Sequence, residues 1–405
     1  MVLKAPVSLR ACSSLVQLLQ LPQFRSRPAA NTIQSWLLRL GLSELVRTKE
    51  KADDWLIIVD HTIQLGTMKC LLIVAIRQSA WSQNPGPLSL EDLEFVTLEP
   101  VSQSNGEVVL RQLRQAAEKL GGIKGILSDQ GSDITGGTKK FQEESPSTLS
   151  FRDIAHATAI ILKNILLADP RWESFLKQCG QVQPKVKQTA LGHLAPPTLK
   201  VKGRYMNLGP LIGWAGRMSK LLHQSPAERS GGAQLTQLDE KFGWLTGYAA
   251  DLDRWQALHQ VKDLALEYGR NHGYHSQAAR ELEQILQRVP SQPASDQMKS
   301  QLIALVKEQS SQLPEHWSVP ASSEVIESLI GKGKRIQGQH SRGGFTKMIL
   351  GMAASVVKLT ESRIIESLET VREADLWAWC REQLGQTLTS KRRAALPVLP
   401  RTETG

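Results

Sequence analysis

Apolar and polar positions change period along the chain. Leu9, Leu15, Leu18 and Leu19 give Ser8 to Gln20 a helical pattern, and a short basic connection, Pro22 to Arg27, follows. A second helix runs from Pro28 through Ile33, Trp36, Leu37 and Leu38 to Gly41. After Asp53 the pattern becomes continuous. Trp55–Val59 and Cys70–Ile76 are uninterrupted apolar runs of the kind that strands buried on both faces need, and Leu93–Leu98 is a third strand. Val108–Leu120 reads as a helix stopped by Gly121-Gly122, and Ile123–Leu127 as a further strand. Leu149–Leu167 begins as a strand or turn and continues as an apolar helix. The predicted order is three strands, helix, strand, helix.

Strand signals then vanish from Pro170 to Pro320. Leu235–His272, Gln277–Val289 and Asp296–Leu313 are helical in period, broken by Pro196-Pro197, Gly231-Gly232 and the Pro290–Pro293 turn. Trp244, Tyr248 and Trp255 fall at helical spacing and belong to the core of this block. Helices resume at Ser322–Arg335, Thr346–Leu359, Glu361–Glu373 and Asp375–Leu384. The expected organisation is a helical segment over 1–50, an α/β core over 51–170, an all-α insertion over 171–320, completion of the core over 321–395, and a tail over 396–405. The first two helices suit a helix-turn-helix whose second member enters the major groove, with plain helical packing as the alternative.

Composition adds exclusions. The longest apolar run, Leu71–Ile76, is far below the ~20 residues that span a bilayer. Lys4 and Arg10 predict no secretory leader. Four scattered cysteines, Cys12, Cys70, Cys179 and Cys380, form no C-x-x-C pair and read as reduced thiols. The net charge of +10 is unevenly placed: residues 1–50, 174–227 and 331–395 are basic, and the remainder is net acidic. Basic surfaces of this kind suit a polyphosphate partner, with simple solubility as the bland alternative.

Three carboxylates stand in unusual places. Asp60 follows a buried apolar run directly, in Val59-Asp60-His61-Thr62, where desolvation costs several kcal/mol unless a partner or metal compensates. Asp129 ends the fourth strand, in Ser128-Asp129-Gln130-Gly131-Ser132, where Gly131 permits a sharp turn. Glu327 lies on a helix whose buried side is Val325, Ile326, Leu329 and Ile330, while Glu324, Glu327, Gly331 and Lys334 line the other face. A phosphate backbone has room to approach at Gly331 and a cation to meet it at Lys334. Singly, each acid has an ordinary structural explanation. Together, two strand-end carboxylates and a third on a returning helix suit two divalent cations ~3.5–4 Å apart, the arrangement for in-line displacement at phosphorus. Oxygen ligands without a Cys/His set favour magnesium or manganese over zinc.

On these residues the chain resembles the DDE transposases of bacterial insertion sequences, with their ribonuclease H-like catalytic core. Ser128-Asp129-Gln130-Gly131-Ser132 is similar to their second-Asp motif, Val59-Asp60-His61-Thr62 to the first-Asp strand, and Glu327 with Lys334 keeps a Glu-x6-Lys spacing. The Tyr and Arg that precede that Glu in the commonest signature are absent. The long gap between Asp129 and Glu327 implies an insertion domain, which the helical block fills. The resemblance implies an α/β ribonuclease H-like core with a mixed sheet flanked by helices, and Asp60, Asp129 and Glu327 as catalytic and metal-holding residues. It also implies two Mg2+ (or Mn2+) ions, hydrolysis at transposon ends, and 3′-hydroxyl strand transfer into target DNA. The partners would be double-stranded DNA and further copies of the chain, with no membrane, at the nucleoid in bacterial cytoplasm. A domesticated nuclease and an inactive DNA-binding relic are the alternatives.

Other residues invite weaker readings. Lys185, Lys187, Lys200, Lys202 and Arg204 form a basic run that suits a DNA strand, with Tyr205 and Trp214 near enough in sequence to stack a base. Ser150, Asp153 and His156 invite a catalytic reading; a capping box explains Ser150 and Asp153 more simply, with His156 near the phosphate as the alternative. His193, His272 and His275 lack the spacing of a metal site.

Overall fold

The structure, a computed structural model, describes residues 1–5, 7–20, 24–65, 68–198, 208–224, 235–340, 346–386 and 388–396. Pro22, Lys200, Lys202, Arg204, Tyr205, the Gly231-Gly232 break and all but the first residue of the tail lie outside them. In chain order the elements are α1 (Leu9–Leu18), α2 (Ala30–Val46), β1 (Trp55–Leu65), β2 (Met68–Arg77), α3 (Gln78–Gln83), β3 (Glu94–Val101), α4 (Gly106–Leu120), β4 (Gly125–Ser128), α5 (Ser132–Glu144) and β5 (Leu149–Arg152). A helical stretch follows: α6 (Ile154–Leu167), α7 (Pro170–Lys187), α8 (Gly209–His223), α9 (Leu235–Phe242), α10 (Ala249–His272), α11 (Ala278–Leu286) and α12 (Pro293–Ser310). It also contains a two-residue ladder, β6 (Tyr274–His275) with β7 (Ser318–Val319). The last elements are α13 (Glu324–His340), α14 (Gly351–Val356), α15 (Glu361–Thr370), α16 (Glu373–Gln383) and α17 (Leu388–Ala395). The chain divides into two compact units, Met1–Asp153 with Ser323–Gly405, and Ile154–Ser322.

The first unit is α/β. Its mixed five-stranded sheet has the order β3-β2-β1-β4-β5, with β1, β2 and β3 antiparallel and β1, β4 and β5 parallel. Alternation along β1 sends Trp55, Ile57 and Val59 to one face, where they pack with Val109, Leu113 and Ala116 of α4 and Ile134 and Phe141 of α5. The other face is covered by α2, α13 and α14, which contact β3 and β1. Gly121 ends α4 in the left-handed conformation, φ 89°, as the Gly-Gly stop requires.

The sequence pattern misses α5. Gly136-Gly137 and a polar run hide it, yet the glycines are there for packing: a β-carbon on Gly137 would lie 2.6 Å from Val109, so α4 and α5 meet closely only because the position is bare. The second difference concerns α2, expected as a groove-reading helix. Ile33, Leu37, Leu38, Leu40, Leu42 and Leu45 are buried, and Gly41 lies directly against the Leu350 backbone. Glu44 on the same helix is buried too. Burial opposes its ionisation, yet Arg47, Lys49 and Arg363 hold its carboxyl below the usual range. A helix bound on so many sides is a core element, and helix-turn-helix recognition by residues 1–50 gains no support from it. At the end of α1, Leu18 and the capping residue Leu19 are exposed rather than packed.

The second unit is helical apart from the β6–β7 ladder, which corrects the expectation of an all-α block. Trp172, Phe175, Trp244, Tyr248 and Trp255 form one aromatic cluster, with Trp172 and Trp255 ring centroids 4.8 Å apart. Among the described residues, no helix is long and apolar enough to cross a membrane.

Candidate functional site

Strand register builds the site. Val59 of β1 pairs with Ser128 of β4, and Ser128 pairs with Arg152 of β5. The residue after each is an aspartate, so Asp60, Asp129 and Asp153 continue the row. Asp129 and Asp153 directly follow the ends of β4 and β5, whereas Asp60, expected at a strand end, lies inside β1, which runs on to Leu65 and pairs Asp60 with Leu72 of β2. Such an edge is where open α/β sheets place ligands.

Asp60 points away from the α4–α5 face, as an even-numbered residue of β1 must, and is half-buried. Burial first, then the charge of Asp129, and after them Glu327 and Asp153 push its carboxyl up to about 7, against the pull of the His61 amide, which donates to Oδ1 at 2.6 Å. Asp129 closes an Asx turn: its Oδ1 accepts from the Gly131 amide at 2.9 Å. The left-handed residue of this turn is Gln130, φ 61°, rather than Gly131, which caps α5 at an ordinary negative φ. A glutamine held there is backbone strain stored next to a candidate ligand.

Glu327 sits on the first turn of α13 and is exposed, while Val325, Ile326, Leu329 and Ile330 are buried. Lys334 is exposed further along the helix, and a β-carbon on Gly331 would meet nothing within 4 Å. Asp129 and Glu327 are each close enough to Asp60 to raise its carboxyl. Among the described residues, no three His, Cys, Asp or Glu side chains stand in an arrangement ready to hold a metal ion.

Two groups of residues here escaped the sequence reading. The first is Asp153, whose place in this row the sequence hides although it offers Asp153 with Ser150 and His156 as a catalytic candidate. It opens no capping box with Ser150, because Ser150 is a strand residue paired with Ile126; its carboxylate instead accepts from the Ser323 hydroxyl and, at 3.3 Å, the Ser323 amide. The second lies on the opposite face of β1. His61 Nε2 is 3.0 Å from Ser104 Oγ and 3.5 Å from Asp133 Oδ2, and Lys69 Nζ is 3.8 Å from the same oxygen. Burial works against ionised Asp133, but Ser104, His61, the Ile134 amide and Lys69 hold its carboxyl below the usual range; burial pushes His61 down. This cluster sets β1 beside the first turn of α5, although Asp133 Oδ2 itself makes no hydrogen bond. The adjacency of His61 to Asp60 was the only signal for it.

The basic run is not assembled here. Lys185 and Lys187 are exposed on the last turn of α7, where cations offset the helix dipole, and the other three members lie outside the described residues. Trp214 is buried and donates to the Leu194 carbonyl at 2.8 Å, so it is committed to the core rather than offered to a base. Tyr268 is likewise shared between His275, 3.0 Å away, and Glu281, while His272 stacks on its ring.

Fold and site together define an α/β core carrying a carboxylate row at a parallel strand edge. In comparisons with known proteins, no family model matches the chain and no curated protein matches it.

Proposed function

We propose that this chain is a metal-dependent DNA transposase with a ribonuclease H-like core. The observation that carries the reading is the β1–β4 register that sets Asp60 beside Asp129, with Glu327 of α13 near enough to help raise the Asp60 carboxyl. The strand order and the interruption of the α/β unit between Asp153 and Ser323 are compatible with such a core and its insertion.

The donor set is carboxylate oxygen throughout, which suits Mg2+ or Mn2+. Asp60, Asp129 and Glu327 would hold two ions, with Glu327, the exposed member, turning toward the aspartate pair. Bound ions supply charge neutralisation and Lewis acidity for hydrolysis at the element's ends and for 3′-hydroxyl attack on target DNA. The β1–β4 pairing and the Asp129 turn keep the two aspartates in register. Gly331 leaves room for a phosphate backbone, and Lys334 meets its charge. Double-stranded DNA is the substrate, and pairing of two element ends calls for more than one copy of the chain.

A second reading, a DNA-binding relic without catalysis, is favoured by the absence of a ready metal-holding group among the described residues. Cleavage of a labelled duplex carrying the element's end separates the two. The transposase reading expects Mg2+-dependent nicking with a free 3′-hydroxyl, lost in Asp129→Ala and Glu327→Ala. Binding without cleavage in either metal supports the relic, and cleavage that survives both substitutions removes these acids from the chemistry.

A further inference from the structure

Asp153 and Ser323 are the residues at which the chain leaves the α/β unit and returns to it. Both are buried, at 3% and 5% exposure, and they meet side chain to side chain. A buried carboxylate needs compensation, and Ser323 supplies it twice, through its hydroxyl and its amide. Ser323 immediately precedes α13, where an anion is also favoured by the helix dipole. Its carbonyl in turn accepts from the amides of Ile326, at 2.9 Å, and of Glu327, at 3.4 Å. One chain of hydrogen bonds therefore runs from the end of β5, through Ser323, to the backbone of Glu327. The other end of Asp153 is fixed just as firmly, since its amide donates to the Ser128 carbonyl, 3.0 Å away, one residue before Asp129.

We infer that the Asp153–Ser323 clasp positions Glu327 against Asp60 and Asp129: Asp153 is a positioning residue, locking the first turn of α13 to the strand edge that carries the two aspartates. This inference rests on the proposed three-acid metal site and adds to it the device that sets its third, exposed member. It gives the buried contact between a carboxylate of the register row and a serine a role at the site. It also gives the return crossing a reason to carry a hydroxyl.

The test uses the full chain and Mn2+ itself, titrated with free Mn2+ read by electron paramagnetic resonance, alongside amide hydrogen exchange over the first turn of α13. Ser323→Ala and Asp153→Asn are each expected to weaken Mn2+ binding on the order of 10-fold, the usual scale for partners that orient metal ligands. Both should speed exchange at the Ile326 and Glu327 amides. The double variant should be little worse than either single one, because both remove the same contact. Ser323→Thr, which keeps the hydroxyl, should restore binding. A wild type that binds Mn2+ while both variants bind equally well, or a double variant whose losses simply add, overturns the clasp and leaves the metal site standing. A wild type that binds no Mn2+ removes the site itself, and the inference with it.

Discussion

Desolvation and three neighbouring carboxylates keep Asp60 protonated far above the range of an ordinary aspartate. The sign of the consequence follows from linkage. Below an unfolded pKa near ~3.9 both states hold the proton, between there and about 7 only the folded state does, and above that neither does. Metal-free stability should therefore fall as pH rises from about 4 to about 7 and then level off. Asp60→Asn should flatten that fall and leave the metal-free chain more stable at pH 8, by on the order of 2 kcal/mol once solvent screening of a half-buried group is allowed for. Urea melts at pH 5 and pH 8 check it. Adding Mg2+ at pH 8 should stabilise the wild type and not the variant. Asp60, Asp129 and Glu327 were legible as candidates because an acid that ends an apolar run, or breaks the face of an amphipathic helix, stands out in one dimension. Asp153 stood out only beside Ser150 and His156, not as a partner of Asp60 and Asp129. Its spacing from Ser150 imitates a capping box, and only the pairing of Arg152 with Ser128 reveals that it continues a row.

At the scale of elements, strands were easier to read than the helix between them. β1 and β2 are continuous apolar runs because both faces of the central sheet are covered, and no surface pattern competes with that signal. α5 was invisible for the opposite reason: close packing on α4 demanded the residues that propensity reads as a loop. The two glycines there are not equivalent. Gly137→Ala should destabilise the chain by ~1–3 kcal/mol through overlap with Val109, outweighing a gain in helix propensity of ~1 kcal/mol. Gly136→Ala, whose nearest contact is an ordinary 3.6 Å, should stabilise by ~0.5–1 kcal/mol. Urea denaturation of the pair resolves the contrast, and equal effects would mean that α4 and α5 do not meet at Gly137. α2 was legible as a helix but not as a core element, since its polar first turn, Asn31 and Thr32, precedes the part that is buried.

At the scale of the molecule, the two-part division was written in the loss of strand signal after residue 170, although the second unit starts at Ile154, with α6. The sequence does not record which of its basic segments act together. On the proposed function, DNA binding should weaken with salt, and one side chain sharpens the point. Lys334→Ala should lower the slope of log K against log salt by about 1, as loss of a single phosphate contact does, with little change in sequence preference. An unchanged slope would take Lys334 out of the interface. The central claim is that Asp60, Asp129 and Glu327 jointly hold divalent cations, and anomalous diffraction from crystals of the full chain grown with Mn2+ tests it most directly. The account predicts two peaks ~3.5–4 Å apart among these three carboxylates, with Glu327 turned toward the aspartates. Clear density for the three side chains with no peak between them would contradict it.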